Sequence, residues 1–168
     1  PGAARLLELP SFFLYPEAVE SLLDSERSVF KAVRLSATFP IADGPGGLEA
    51  AIRTLGDTAV EAVAAGAAVL VISDRSVSAD RAPIPSLLLT AAVHHHLVRE
   101  QTRTQVALIV ESGDCREIHH VAVLLGFGAA AVVAGMRRDL HARPGATMSA
   151  DLEGQTVTAP DGATHRFE

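Results

Sequence analysis

AAVLVISD (residues 67–74) is a short, continuously apolar run rich in β-branched residues that stops at Ser73-Asp74. That pattern marks a strand buried on both faces, as the strands of parallel sheets are. TQVALIVES (104–112) has the same character, and AAAVVA (129–134) is a shorter version of it. VFKAVRLSATF (29–39) reads as one further strand, ended by Pro40.

Helical stretches separate these runs. Leu48, Ile52, Leu55, Ala59 and Val63 recur every three or four residues, the period of an amphipathic helix. Glu49 and Arg53 form an i,i+4 pair on its other face. DGPGG (43–47) before it reads as a turn cluster, and Gly66 stands where a helix C-cap is expected. Pro83 and Pro85 break the chain before a second helix, Ser86 to Gln101. Asp114 with Glu117 resembles a capping box that starts a third helix, and Ile118, Val121, Ala122 and Leu125 supply its stripe. Gly126 and Gly128 close it.

The order β-α-β-α-β-α-β predicts an α/β fold of repeated β-α units with right-handed crossovers and a parallel sheet. Three units suit either a half-barrel or a small open sheet. Residues 1–28 read as an N-terminal arm with one short helix, in which Pro16 lies near N1 and Glu17 and Glu20 in the first turn. Residues 29–135 form the α/β domain. Residues 136–168 read as a linker or C-terminal tail, with a hairpin about Pro160-Asp161-Gly162.

Composition narrows the function. The 168 residues suffice for one self-standing domain, and 48% hydrophobic against 20% charged residues exclude a disordered chain. Aromatics at 4% argue against a stacking platform for single-stranded nucleic acid. A net charge of -6 argues against nucleic acid or an anionic membrane as partner. No apolar run is long enough for a membrane span. The single cysteine, Cys115, excludes an internal disulfide and fits a reducing cytoplasm. The first residue, Pro1, with no leader pattern after it, reads as the start of a piece cut from a longer chain or left by removal of a tag.

Several residues carry chemistry. Ser73, Asp74, Arg75, Glu111 and Ser112 end predicted parallel strands, and Arg116 follows in the next loop. Ligands of parallel α/β folds sit at that edge, so these six are the candidate ligand or interface residues, with a purely structural role as the equal alternative. His94, His95 and His96 fall in one helix and His119 and His120 in the next. Consecutive helical residues diverge by about 100° each, and no pair has the i,i+4 spacing of a helical zinc pair, so no metal site is expected. Cys115 at a helix start with His119 four residues on suggests a thiol nucleophile and base, against the simpler reading of a packed cysteine. DGPGG lacks the phosphate-loop patterns, so no nucleotide site is expected.

RLSATFP (34–40), LVISDR (70–75), RAPIPSLLLTAAVHHHLVRE (81–100) and TQVALIVESGDCREIHHVAVLLGFGAAAV (104–132) resemble the central domain of the large subunit of glutamate synthase. The resemblance covers Lys31 to Val132 and takes in the arm. It implies an N-terminal glutamine amidotransferase domain with a terminal cysteine nucleophile, an FMN and iron–sulfur domain, and a C-terminal β-helix elsewhere in the parent. Ammonia from glutamine would pass through a tunnel to 2-oxoglutarate at the flavin. The central domain would connect the two active-site domains, with an α/β topology related to that of the flavin domain. A chain with Pro1 at its start and one cysteine carries neither that nucleophile nor a cluster-binding set, so no catalytic, cofactor or metal residue is transferred to it. After the fourth strand, Val133-Ala134-Gly135-Met136 stands where the family has Asn-Pro-Tyr, and there the resemblance stops. The expected role is a connecting domain, cytoplasmic, partnered by the amidotransferase and flavin domains and able to self-associate through exposed interfaces. The rival readings are a stand-alone small-molecule binder at the strand edge and a small thiol enzyme.

Overall fold

The structure, a computed structural model, describes residues 11–24 and 30–134 together with the backbone of three short strands at 149–151, 156–158 and 164–166. Four strands form a parallel sheet: β1 (Ala32–Ser36), β3 (Val69–Ser73), β5 (Ala107–Ser112) and β6 (Ala131–Ala134), in the order β1-β3-β5-β6. The crossovers are α2 (Gly44–Ala64), α3 (Ser86–Arg99) and α4 (Ile118–Gly126). The alternation read from the apolar runs is therefore present. Every residue of β3, and all but the first of β5, is buried, which is why these two central strands show no polar alternation.

The two faces of the sheet are covered differently. Leu35, Leu70, Ile72 and Leu108 pack under Ala59 and Val63 of α2 and Leu89, Val93 and Leu97 of α3. Val110 and Val132 pack with Val121 and Leu124 of α4. On the opposite face, among the described residues, Val69, Val71, Ile109, Ala131 and Val133 meet Val19 of one short helix, α1 (Pro16–Leu23). Burying each such Leu, Ile or Val stabilises the fold by about 1.5–3 kcal/mol. The segment just before α1 closes the sheet edge. Val132 N–H donates to Phe12 C=O at 2.8 Å and Leu14 N–H to Val132 C=O at 3.1 Å, so residues 12–14 run beside β6. An otherwise open strand edge is thereby paired.

Four local readings change. The strand expected over 29–39 is two: β1 stops at Ser36, and β2 (Thr38–Pro40) turns away to pair antiparallel with β4 (Arg81–Pro83). Ala37 is the pivot, since its N–H donates to Ser73 C=O and its C=O accepts from Ile84 N–H. Arg81 then clamps Thr38, with Nε on Oγ1 and Nη2 on the carbonyl, both at 2.9 Å. The expected turn DGPGG is largely the first turn of α2, where proline is tolerated because its missing N–H has no partner to lose. Asp114 does not cap α4; that helix begins at Ile118, and Glu117 before it is extended. Pro83 lies in a strand as well as before a helix.

In the tail, β8 (Thr156–Thr158) and β9 (Thr164–Arg166) pair antiparallel as the hairpin reading requires, and β7 (Ser149–Asp151) joins β8 on its other side. Pro160-Asp161-Gly162 lies outside the described residues.

Candidate functional site

The six strand-edge candidates divide into two groups. The first lies on the face covered by α1. Glu111, on β5, is buried and has Ser73 of β3 as its register partner. Ser73 Oγ donates to Glu111 Oε2 at 2.7 Å, and Arg75 Nε donates to Oε1. Arg34 of β1 brings Nη2 to 3.5 Å from Oε2. The same Arg34 Nη2 donates to Glu20 of α1 at 2.8 Å, and Arg75 Nη1 stands 3.7 Å from that carboxylate. Arg34 holds the Glu20 carboxyl below its ordinary value, mainly through this hydrogen bond, with desolvation opposing and the charges of Arg34 and Arg75 assisting. Both oxygens of the buried carboxylate are thus occupied, as a buried charge requires. Arg34 and Glu20 were not among the sequence candidates. Arg34 stands mid-strand and Glu20 reads as a helix-dipole acid; only the alternation that puts Arg34 on the same sheet face as Ala32 pointed to it.

The second group is a loop brace. Asp74 Oδ2 accepts from Ser112 Oγ at 2.9 Å and from Gly113 N–H at 2.8 Å. Ser112 Oγ accepts in turn from Asp114 N–H at 3.1 Å. Arg116 is exposed, and its Nε reaches Gly113 C=O only at 3.4 Å. Asp74 and Ser112 therefore fix the loop after β5, and Arg116 takes no part in the carboxylate–arginine network.

Cys115 is fully buried among Val110, Val121, Leu124, Ala129 and Val132. Burial pushes its thiol up to about 11, with the charge of Asp114 adding to the rise. Because α4 starts three residues later, Cys115 and His119 are not one turn apart on a helix. A nucleophilic thiol needs a depressed pKa and access, and this one has neither. Cys115 is packed in the core, the simpler of the two expectations for it.

The histidines of α3 diverge as helical geometry demands. His96 Nε2 lies 3.2 Å from Asp57 Oδ1 of α2, packed over Gly56, where a Cβ would come within 2.9 Å of the ring. His94 points the other way, toward Arg103 and Gly128. Arg103 Nε donates to His94 Nδ1 at 3.0 Å, and its Nη1 and Nη2 donate to the carbonyls of Val106 and Gly128 at 2.7 and 2.6 Å. Desolvation, followed by the charges of Arg103 and His95, keeps the His94 imidazole below its usual pKa. His95 is exposed. In α4, by contrast, His119 and His120 come together with Glu117.

The outer face of α4 is the least expected surface. His119, Ala122, Val123, Gly126 and Phe127 are all exposed and lie at i, i+3, i+4, i+7 and i+8. That places them in one stripe opposite the buried Val121 and Leu124. A helix in contact with water on one side carries polar residues there, whereas one apolar on all sides is ordinarily covered. Leu87, Leu88 and Val98 of α3 are exposed as well. Among the described residues, no helix is long and apolar enough to cross a membrane.

The chain matches the model of one family, the glutamate synthase central domain, over residues 1–153. The match takes in the arm and continues some twenty residues past Val132. It is 40% identical over 130 residues to a glutamate synthase (NADH) of Schizosaccharomyces pombe, covering 76% of this chain and 6% of that protein. It is 35% identical over 135 residues to the glutamate synthase (NADPH) large chain of Azospirillum brasilense, covering 80% and 9%. A ferredoxin-dependent glutamate synthase of Pyropia yezoensis is 32% identical over 134 residues, covering 79% and 8%. The chain thus spans less than a tenth of the length of these relatives.

Proposed function

Since the chain belongs to the glutamate synthase central domain family, we propose that it works as the connecting domain of a glutamate synthase large chain, and so in L-glutamate formation from glutamine and 2-oxoglutarate. In this reading the amidotransferase and flavin domains of the parent pack against it. It holds their active sites in fixed relation and forms part of the wall that keeps ammonia from water. FMN and the iron–sulfur cluster belong to the parent's other domains, and this chain supplies no catalytic group.

The observation that carries the reading is the apolar outer face of α4. Ala122, Val123, Gly126 and Phe127 present small and apolar surface in a continuous stripe, suited to close packing by another domain. The strand-edge side chains support the same role. Ser73, Arg75 and Glu111 spend their hydrogen-bonding groups on one another and on α1. An ordered, self-satisfied core is what a spacer between two active sites requires.

The test uses the full parent enzyme carrying Val123→Asp and Phe127→Asp together. The expected result is loss of coupling: glutamine hydrolysis outruns glutamate formation, while glutamate formation from added ammonia persists. Unchanged stoichiometry between the two reactions, in a variant confirmed to be folded, overturns the proposal that this face is part of the inter-domain wall.

A further inference from the structure

We propose that Glu117, His119 and His120, at the start of α4, form a surface site for a divalent transition-metal ion of the zinc class. One donor atom from each residue lies within 4.8 Å of the other two. His119 Nδ1 and Glu117 Oε2 are 3.3 Å apart. Two donors at about 2.1 Å from one ion, at a tetrahedral angle, stand about 3.4 Å from each other. The observed pair, in direct contact without an ion, is thus also at a spacing a shared ion can occupy, and the third donor, within 4.8 Å, closes on it by side-chain rotation.

The local backbone explains why the site forms where helical spacing excludes one. Glu117 is outside the helix, with φ -133° and ψ 158°, so its side chain is free of the 100° rotation that separates neighbouring helical residues. His119 and His120 occupy the first turn just beyond it, with ring centroids 4.4 Å apart in an edge-to-face arrangement. All three belong to one loop–helix junction, so an ion needs no rearrangement of the fold to reach them. Two imidazoles and one carboxylate are a zinc-type donor set, and three protein donors leave a fourth position for water or for a donor from a neighbouring surface.

Three features limit the affinity. Arg116 N–H donates to His120 Nδ1 at 3.3 Å, and an ion bound by this imidazole displaces that long bond. The N-terminal end of α4 carries partial positive charge, which the Glu117 carboxylate offsets. Glu117 and His119 are also exposed, so water competes for the ion. Binding weaker than at a closed structural zinc site follows. His119 is at once a donor and the neighbour, one turn back, of the exposed apolar residues Ala122 and Val123, so the open fourth position adjoins that face.

Isothermal titration of the 168-residue chain with zinc chloride tests the site. The expected result is one ion per chain, with at least tenfold weaker binding in both His119→Ala and Glu117→Gln and unchanged binding in His95→Ala, which removes an exposed histidine of α3. Circular dichroism verifies that each variant is folded. Because Glu117 and His119 are exposed, neither substitution opens the core. No binding by the wild-type chain, or binding that survives in both His119→Ala and Glu117→Gln, overturns the proposal.

Discussion

Glu111 of β5 and Glu20 of α1 are held by the same two arginines. Arg34 lies 3.5 Å from the buried carboxylate and 2.8 Å from the exposed one, while Arg75 donates to Glu111 and stands 3.7 Å from Glu20. This bridge ties α1 to the middle of β1 and to the C-terminal ends of β3 and β5.

Removal of the buried end is expected to cost more than removal of the exposed end. Glu111→Gln leaves two guanidinium groups sharing one partner and retains an amide that satisfies them poorly. A loss of about 1–3 kcal/mol follows, below the full cost of breaking a buried ion pair because both arginines reach water. Glu20→Gln should cost well under 1 kcal/mol, as for other exposed pairs. Urea unfolding of both variants measures the contrast, and equal losses would mean that the buried carboxylate has no special part.

Gly128 separates backbone strain from crowding. Its φ is +106°, and a Cβ placed there would come within 2.2 Å of His94 Nδ1. Gly66 has φ +88° with open space around it. Gly66→Ala therefore pays only the left-handed penalty, about 1 kcal/mol. Gly128→Ala adds displacement of His94 from Arg103, for about 2–4 kcal/mol in all. Unfolding midpoints of the two variants should differ in that order.

The fold is readable because burial on both faces leaves an unbroken apolar run, as in Val69–Ile72 and Leu108–Val110, and helices leave a three-to-four period. Long-range pairing leaves no such mark. Nothing local in RLSATFP shows that Ala37 bonds to Ser73 and Ile84 and so splits the strand. At the site, strand ends pointed to Ser73, Arg75 and Glu111, because the C-terminal edge of a parallel sheet can be placed from order alone. Arg34 and Glu20 join them through sheet pairing and the docking of α1, which no spacing encodes. The Glu117–His119–His120 cluster escapes the helical-spacing argument because Glu117 lies in extended backbone just before α4, which begins at Ile118.

His94 makes stability depend on pH. Its folded pKa is lowered, so between the folded value and the unfolded one the unfolded chain binds more protons. Its contribution is complete above the unfolded value of about 6.5 and is lost as pH falls through the folded value. Protonation also removes the Nδ1 lone pair that accepts from Arg103. Urea midpoints measured from pH 8 down to pH 5 should fall for the wild-type chain and fall less for His94→Gln. Parallel curves would remove His94 as the source.

Cys115 should be inert. A buried thiol raised to about 11 carries almost no thiolate at pH 8, and the packing of Val110, Val121 and Leu124 blocks access. In the folded chain a disulfide reagent is expected to react at least a hundredfold more slowly than after unfolding in urea. Comparable rates would place Cys115 in a frequently opened segment and restore interest in it as a reactive group.

The outer face of α4 gives the last expectation. Val123 and Phe127 are only 39% and 44% exposed, so replacing each with serine also gives up the part that is buried, and the unfolding free energy should fall by about 1–2 kcal/mol for each. Association is where the change should appear. If this stripe is built to be covered, the isolated chain will use it against a second copy at high concentration, and sedimentation will show a concentration-dependent rise in mass. Val123→Ser with Phe127→Ser should abolish that rise while leaving the fold intact. A chain that stays monomeric throughout does not use this stripe for self-association, and the coupling assay in the parent then becomes the deciding measurement for the face.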